Sequence, residues 1–197
     1  GNAYIAGYTA SLNYPTANPL QATLKGGQNA FVAKFNPSGS SLVYSTYLGG
    51  SSGEEAKGIA VDVLGNVYIT GMTISSDFPT TPGSFQTNFK GPGDAFITKL
   101  SADGQSLMYS SYLGGSSEFD DVGNKVAVNS EGDAYIVGVT SSADFPLANP
   151  IQSIPGGDAD AFITKVNSAG TGIPFSTYIG GYAGDAATGI DIDSLGN

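Results

Sequence analysis

The stretch DAFITKLSADGQSLMYSSYLGG, residues 94–115, occurs three times in this chain with small changes. The other copies are NAFVAKFNPSGSSLVYSTYLGG at 29–50 and DAFITKVNSAGTGIPFSTYIGG at 160–181. Each copy holds two runs rich in Val, Ile, Phe, Tyr and Thr, separated by a short segment that contains a glycine. Residues of this kind favour β-strands, and turns of this kind favour hairpins. The stretch therefore predicts an antiparallel hairpin that the chain repeats three times.

A second recurring motif sets the length of the repeat. Its copies are GNAYIAGYT at 1–9, GNVYITGMT at 65–73 and GDAYIVGVT at 132–140, and Gly196-Asn197 match the start of a fourth copy. A nearly constant period of this size is typical of solenoids, propellers and arrays. We predict a single repeat region, 1–197, that consists of repeats 1–64, 65–131 and 132–195.

Each repeat contains four strand-like runs, which we label A to D. In the second repeat they are GIAVD (58–62), NVYITGM (66–72), AFITKL (95–100) and LMYSSYL (107–113). The runs are apolar on both faces, whereas a sandwich strand with one wet face would alternate more cleanly. Four-stranded antiparallel sheets that pack on both sides and repeat radially describe a β-propeller. The predicted fold class is therefore all-β, a β-propeller of four-stranded blades with strand A innermost.

The phase of the repeats predicts how the blades are completed. NKVAV (124–128) and GIDID (189–193) correspond to the small-residue run of strand A, so the chain is circularly permuted: it starts at strand B and ends at strand A. Propellers have about four to eight blades. Three repeats therefore predict a partial ring, or half of a closed ring that a second copy or further repeats complete.

Joining the last strand A to a first strand B would restore a complete blade and remove two open sheet edges. A head-to-tail join that does not close would instead build a filament. The first residue is not Met, so we expect a processed chain or part of a longer one.

Taken together, the segments DFPTTPGSFQ, DAFITKL, YSSYLGG, GIAVD and GNVYITG resemble the bacterial and archaeal β-propeller repeat known as the SBBP repeat. The resemblance covers all three repeats. It implies a propeller fold in a secreted or cell-surface protein, and it brings no general catalytic motif. The first repeat departs from the pattern, since it has Asn13-Tyr14-Pro15 in place of Asp-Phe-Pro and Asn29 in place of Asp94 and Asp160.

The amino-acid composition argues against several classes of function for this chain, namely histidine- or cysteine-based catalysis and nucleic-acid binding. The chain has no His, no Cys and no Trp, and all seven of its basic residues are lysines. It therefore lacks the usual general base and the commonest neutral metal ligand. Its net charge of −10 opposes binding to nucleic acid, and no apolar stretch is long enough to span a bilayer. We expect no enzyme activity, no catalytic or cofactor-binding residue, no nucleic-acid partner and no membrane insertion.

The loops that lead from strand D to the next strand A are acidic, with the sequences GGSSGEEAKG (49–58), GGSSEFDDVG (114–123) and GGYAGDAATG (180–189). Five carboxylates are expected to gather on one face near the channel mouth: Glu54, Glu55, Asp120, Asp121 and Asp185. Oxygen ligands suit Ca²⁺, so a calcium-binding rim is one interpretation. A solvated acidic rim is the other, and we favour it because no calcium-loop spacing occurs.

The long loops between strands B and C are the second place where a ligand could bind. Asp77-Phe78-Pro79 and Asp144-Phe145-Pro146 recur there, and they could line a ligand groove. Repetition in successive repeats favours an architectural role instead, in which the aromatic ring and the proline fix the loop onto the blade.

These observations favour an extracellular or cell-surface module with a structural or adhesive role. Its expected partners are a second copy, further repeats of the same chain, a glycan or a cell-surface protein. The second interpretation is a Ca²⁺-assisted carbohydrate-binding module. The third is a polysaccharide lyase or hydrolase that uses carboxylates, because paired acids at a defined separation can perform such chemistry.

Overall fold

The computed structural model describes residues 1–193. In this range the chain forms eleven β-strands and no helix, arranged as three antiparallel sheets. A bilayer-spanning helix is therefore not found among the described residues. We call the three sheets blades 1, 2 and 3, in the order in which the chain builds them.

Blade 1 contains three strands, β1 (Ala3–Thr9), β2 (Asn29–Phe35) and β3 (Leu42–Leu48), in that spatial order. Blade 2 contains β4 (Glu54–Val61), β5 (Val67–Thr73), β6 (Asp94–Leu100) and β7 (Leu107–Leu113). Blade 3 contains β8 (Val122–Val128), β9 (Ala134–Thr140), β10 (Asp160–Val166) and β11 (Phe175–Ile179). In both four-stranded blades, strands A to D follow one another as a simple meander, as predicted.

Glycines in a left-handed backbone conformation shape the tight turns. Gly65, at the end of the turn between β4 and β5, has φ 85°, and Gly104, between β6 and β7, has φ 72°. A side chain is strained at such angles. A Cβ at Gly104 would also lie only 2.6 Å from the ring of Tyr44 in blade 1. Glycine therefore both permits the turn and lets blade 2 approach its neighbour.

The two faces of blade 2 contribute to two separate hydrophobic cores, as the apolar pattern of its strands predicts. Val67 and Ile69 face blade 1 and pack in a core with Val32, Tyr44 and the other members of that cluster. The opposite face packs on blade 3 in a second core, which includes Tyr68, Ile97, Val126, Ile136 and Phe162. The buried contact between successive sheets is therefore the main hydrophobic interaction in the chain.

Strands A lie where the sheets converge. Strand β4 contacts β1 and β2 of blade 1, and β8 contacts β4, β5 and β6 of blade 2. Both strands begin earlier than predicted, at Glu54 rather than residue 58 and at Val122 rather than residue 124. Each strand contains a register shift, between Ala56 and Gly58 in β4 and between Gly123 and Lys125 in β8. This irregularity allows the residues before it to continue the pairing with strand B.

The prediction of a last strand A is wrong. Residues 189–193 are not a strand in the structure, although their sequence corresponds to that of β4. A strand needs a partner, and strand A of blades 2 and 3 pairs with the strand B that follows it in the chain. The corresponding motif begins at Gly196-Asn197, which lies outside the described residues.

Candidate functional site

The structure directs attention to the contacts between blades, where acidic loops meet. We call the contact between blades 1 and 2 the first junction and that between blades 2 and 3 the second junction. At the first junction, Glu54 is fully buried. Its Oε2 accepts hydrogen bonds from Asn29 Nδ2 (2.8 Å) and from the Gly50 amide (3.1 Å), and its Oε1 accepts one from Thr73 Oγ1 (2.9 Å). This carboxylate therefore joins the D–A loop and β2 of blade 1 to the end of β5.

Asp121 holds the equivalent place at the second junction and is also fully buried. Its Oδ2 accepts hydrogen bonds from the Gly115 amide (2.7 Å) and Ser142 Oγ (2.9 Å), and its Oδ1 accepts one from Thr140 Oγ1. The aspartate is one methylene shorter than Glu54, yet it also accepts from a loop glycine amide and from the threonine hydroxyl at the end of strand B, and a serine hydroxyl takes the place of the Asn29 amide. Both junctions therefore use a buried carboxylate in the same structural role.

Asp185 occupies the third equivalent position but is exposed. Its Oδ2 accepts a hydrogen bond from the Gly181 amide over 2.8 Å, which repeats the contacts of Glu54 with Gly50 and of Asp121 with Gly115. Its own amide donates to Ala159 O. The D–A loop of blade 3 therefore repeats the two hydrogen bonds that its carboxylate residue makes in the loops of blades 1 and 2.

The five predicted rim carboxylates do not form one cluster. Glu55 lies next to Glu54 and forms an ion pair with Lys57, with 3.0 Å between Oε2 and Nζ. Asp120 is exposed, and Asp185 lies in a separate loop of blade 3. Within residues 1–193, no group of three or more acidic side chains is placed to hold a metal ion. Calcium binding at these residues stays a prediction.

The Asp-Phe-Pro elements are integrated into the junctions. Asp77 Oδ1 accepts hydrogen bonds from the amide and hydroxyl of Ser51, at 2.8 and 3.0 Å. In the same way, Asp144 Oδ1 accepts one from the Ser116 amide at 2.7 Å. These amide donors lower the pKa of both aspartates below its usual range. Each aspartate thus caps the loop of the preceding blade.

The aromatic residues of these elements are buried. The ring of Phe78 packs on those of Phe96 and Tyr112, with centroids 4.7 and 5.9 Å apart. Phe145 packs in the same way on Phe162 and Tyr178. Contacts of this kind support the architectural role that repetition favours, since the rings are occupied by the protein's own core. Their alternative role in a ligand groove stays a prediction.

One further buried acid, Asp94, was not assigned to a site from the sequence. Asp94, at the start of β6, accepts hydrogen bonds from the Lys90 and Gly91 amides and from Gln86 Nε2. A Cβ at Gly114 would lie 2.5 Å from Asp94 Oδ1 and 2.8 Å from Asp121 Oδ2, so the two carboxylates flank one glycine. Burial raises the pKa of Asp94 to about 6, and the neighbouring Asp121 adds to the increase.

Burial also raises the pKa of Glu54 and of Asp121 above the usual range, although their hydrogen-bond donors oppose this effect. The signal in the sequence was the recurrence of Thr73 and Thr140 two residues before Ser75 and Ser142. Hydroxyls repeated at the end of strand B indicate a shared acceptor in the neighbouring loop. The prediction of a solvated acidic rim is therefore wrong for Glu54 and Asp121, which are fully buried.

On the opposite rim, the repeated lysines of strand C stack on the tyrosines of strand B. Lys99 Nζ lies 4.8 Å from the ring centroid of Tyr68 and 3.9 Å from Asp62 Oδ2. Lys165 pairs with Asp133 at 2.8 Å. The acids belong to the same blade as the lysines. Lys99 and Lys165 are therefore paired with acids of their own blades.

Comparison with known proteins supports the assignment of the repeat. Residues 43–79 match the sequence model of the SBBP family, described as a beta-propeller repeat. The matched segment runs from β3 through β4 and β5 to Asp77-Phe78-Pro79, so it spans the first junction. A comparison with curated proteins found no match. The resemblance inferred from the sequence is thus confirmed for residues 43–79, which match the SBBP β-propeller repeat.

Proposed function

We propose that the chain is a protein-interaction module with a structural or adhesive role, and that its two end blades are the surfaces through which it associates. β-Propeller repeats are scaffolds on which function depends on surfaces rather than on the fold itself. In the described loops, the buried acids and aromatic rings make contacts within the protein that hold successive blades together. The surfaces that remain are the outer faces of blades 1 and 3.

The observation that carries this proposal is the exposure of core residues at the two ends. Leu48 and Leu113 end strand D of blades 1 and 2 and are 2% and 0% exposed, whereas the equivalent Ile179 of blade 3 is 56% exposed. In strand B, Ile69 is fully buried, whereas the equivalent Ile5 is 43% exposed. Apolar side chains that the repeat buries between blades are thus open to solvent at both ends, as at an unoccupied interface.

Self-association is tested by light scattering of the purified chain over a wide range of concentration. We expect the mass to rise to twice that of one chain, or to a larger multiple if the contact does not close. Replacing the exposed apolar residue at each end, as in Ile5→Ser and Ile179→Ser, should keep the chain monomeric. A chain that is monomeric and soluble at every concentration contradicts the proposal.

The proposed location is outside the cell or on its surface. The net charge of −10 suits such a location, and the SBBP resemblance implies it. Antibody labelling of intact source cells, compared with permeabilised cells, tests this part of the proposal. Labelling that requires permeabilisation contradicts it.

Calcium-assisted carbohydrate binding ranks second. It needs carboxylate oxygens that are available to a cation, and Glu54 and Asp121 each already accept at least three hydrogen bonds from the protein. Calorimetric titration of the chain with Ca²⁺, before and after treatment with a chelator, tests this alternative directly. The carboxylate-based lyase or hydrolase stays a third prediction, tested by activity on acidic polysaccharides.

A further inference from the structure

We propose that Lys99 and Asn66 of blade 2 become joined by an amide bond between their side chains, an isopeptide bond, which the chain forms by itself with loss of ammonia. Asp62 moves the proton in this step. The modification goes beyond the proposed function and does not depend on self-association, because all three residues belong to one complete blade.

The register of the sheet places the two reacting side chains on one face. Lys99 in β6 pairs directly with Tyr68 in β5. Asn66 lies two residues before Tyr68, and its carbonyl accepts a hydrogen bond from the Asp62 amide at 3.0 Å, which extends the pairing of strands A and B. Since side chains alternate along a strand, Asn66 shares the face of Tyr68 and is a diagonal neighbour of Lys99. Diagonal neighbours are within reach of long side chains such as lysine.

One carboxylate oxygen lies next to both groups. Asp62 Oδ2 accepts a hydrogen bond from Asn66 Nδ2 at 2.8 Å, and Lys99 Nζ lies 3.9 Å from the same oxygen. The second distance is longer than that of a hydrogen bond, so the lysine nitrogen is beside the carboxylate without being bonded to it. The nitrogen that attacks and the nitrogen that leaves are therefore both placed at Asp62.

The site is shielded from water. Lys99 and Asn66 are 7% and 8% exposed. Lys99 Nζ lies 4.8 Å from the centre of the Tyr68 ring, and a Cβ at Gly132 of blade 3 would lie 3.7 Å from the same nitrogen. Burial lowers the pKa of Lys99, although the charge of Asp62 opposes this effect. A desolvated lysine of this kind holds more of its neutral, nucleophilic form.

The reaction balances within these three side chains. Burial opposes ionisation of Asp62, but hydrogen bonds from Asn66 and from the Leu64 amide outweigh it and hold the pKa of Asp62 below its usual range. As the neutral Lys99 Nζ attacks Cγ of Asn66, the Asp62 carboxylate takes a proton from Nζ and returns one to Nδ2. The new C–N bond forms, the bond from Cγ to Nδ2 breaks, and Nδ2 leaves as ammonia. The step needs no oxidant and no further reactant.

A cavity beside the site has room for the leaving group. Its volume is about 100 Å³, and its lining includes Asp62, Lys99 and Gly132. A water molecule, which is close to ammonia in size, has a share of about 30 Å³ in the liquid. The cavity therefore accommodates the released ammonia next to the atom that it leaves.

Blade 3 carries the same three residue types in another arrangement. There Asn129 takes the place of Asp62, and Asp133 takes the place of Asn66. Lys165 binds Asp133 directly at 2.8 Å, and its side chain is 24% exposed. This hydrogen bond raises the pKa of Lys165, so the lysine stays protonated and is a poor nucleophile.

The third lysine of strand C is also bonded. In blade 1, Lys34 Nζ donates a hydrogen bond to Ala102 O at 3.0 Å. Among the residues that the structure describes, Lys99 is thus the strand C lysine whose nitrogen is buried beside an amide without a short bond of its own. We expect one isopeptide bond, in blade 2.

Intact-mass spectrometry of the purified chain tests the bond. We expect most chains to be lighter than the sequence by one ammonia. Trypsin cleaves after free lysines, so a digest should contain peptide 58–90 joined to peptide 91–125, uncut at Lys99. An unchanged mass, a loss of water in place of ammonia, or a loss of ammonia without the joined peptides would overturn the inference.

Three variants sharpen the test. Lys99→Arg keeps the charge but removes the nucleophile, and Asp62→Asn installs the amide that blade 3 has at this position. Both should restore the full sequence mass and give separate peptides. Lys165→Arg is the matched control and should keep the loss of ammonia. A link that persists in Lys99→Arg or disappears in Lys165→Arg contradicts the assignment, and the mass of the native chain decides the matter even if a variant fails to fold.

Discussion

At the first junction Asn29 Nδ2 donates to Glu54 Oε2 across 2.8 Å, whereas at the second junction the equivalent positions hold two carboxylates, Asp94 and Asp121. The rest of the geometry is shared: in each case a glycine of the D–A loop lies against both side chains. One junction thus pairs an amide with a carboxylate, and the other brings two acids together in a buried site.

The difference shows that the shape of a junction can be repeated while its electrostatics are not. An amide satisfies a neighbouring carboxylate, but two buried carboxylates repel each other and have few ways to lose their charge except by binding a proton. Burial raises the pKa of Asp94 to about 6, and the charge of Asp121 adds to the increase. We expect the first junction to be largely insensitive to pH near neutrality and the second to weaken as pH rises.

The largest expected effect comes from closing the space in which strand A approaches strand B within blades 2 and 3. Gly71→Val and Gly138→Val would each place a side chain on the backbone of the adjoining strand A. Each should cost about 3–5 kcal/mol or prevent folding, because the clash is with backbone that cannot move aside. Urea denaturation measures the loss.

Gly7→Val is the matched control for that experiment, since β1 has a paired strand on one side only within residues 1–193 and the Phe31 ring can shift. We expect a change of about 1 kcal/mol or less in the monomeric chain. Losses at Gly71 and Gly7 of the same size would contradict the account of strand A.

The second prediction compares the two buried carboxylates. Glu54→Ala leaves Thr73, the Gly50 amide and Asn29 without their acceptor, and should cost about 2–4 kcal/mol. Asp121→Ala removes a similar set of bonds but also relieves the repulsion of Asp94. Its cost at pH 7.5 should therefore be smaller by about 1 kcal/mol.

The matched control is Glu55→Ala, because Glu55 is the half-exposed neighbour of Glu54 and forms only a surface ion pair. Its effect should stay within about 0.5 kcal/mol. Chemical denaturation of the three variants measures these differences, and an unfolding free energy of Glu54→Ala equal to that of Glu55→Ala would refute the assigned role.

The third prediction converts the second junction into a copy of the first. Asp94→Asn places an amide beside Asp121 and should raise the midpoint of thermal unfolding at pH 7.5 by a few degrees. The charged groups that face this site are Asp121, Asp120 and Lys90, and of these only Lys90 favours an ionised Asp94.

The expected pH dependence of that variant follows from linkage. The folded pKa of Asp94 is about 6, above the ordinary value of about 3.9 for an unfolded aspartate, so the folded state holds the proton more tightly. Its contribution to stability is present below about pH 4 and is lost as pH rises to about 6. The advantage of Asp94→Asn over the native chain should thus be greatest above pH 6 and vanish near pH 4; an advantage independent of pH would contradict this explanation.

The smallest expected effect concerns the hydroxyls of Tyr44 and Tyr109, which are buried without a hydrogen-bond partner among the described residues. In blade 3 the equivalent residue is Phe175, which has no hydroxyl. Tyr109→Phe should therefore be neutral or stabilising by up to about 1 kcal/mol. A loss of more than that in thermal unfolding would show that the hydroxyl has a partner.

Much of the fold could be predicted from the sequence because it is repeated. The turn glycines and the alternation of apolar residues such as Val67 and Tyr68 were enough to predict the strands, their order and the two packed faces. The start of strand A could not be predicted, because Glu54 is a charged residue whose burial depends on donors from three separate segments. The segment 189–193 shows the converse, since a strand-like sequence forms a strand only beside a partner.

The site was less accessible to sequence reasoning. The acids of the D–A loops were identified, but not that Glu54 and Asp121 are buried and already hydrogen-bonded. Burial of an acid depends on which hydroxyls and amides the fold brings to it, and these lie some 20 residues away in the chain, as Thr73 does from Glu54. The partner of Asp121 at Asp94 is likewise set by the packing of two blades rather than by local sequence.

The most direct test of the central claim is hydrogen exchange of the β1 amides as a function of protein concentration. Every second amide of an edge strand points away from its one partner and exchanges freely unless another strand covers it. The account predicts that amides of Ala3–Thr9 and of residues 185–193 become protected together as concentration rises, while those of β5 and β6 do not change. Protection of β1 that is the same at all concentrations would contradict the proposed self-association through the end blades.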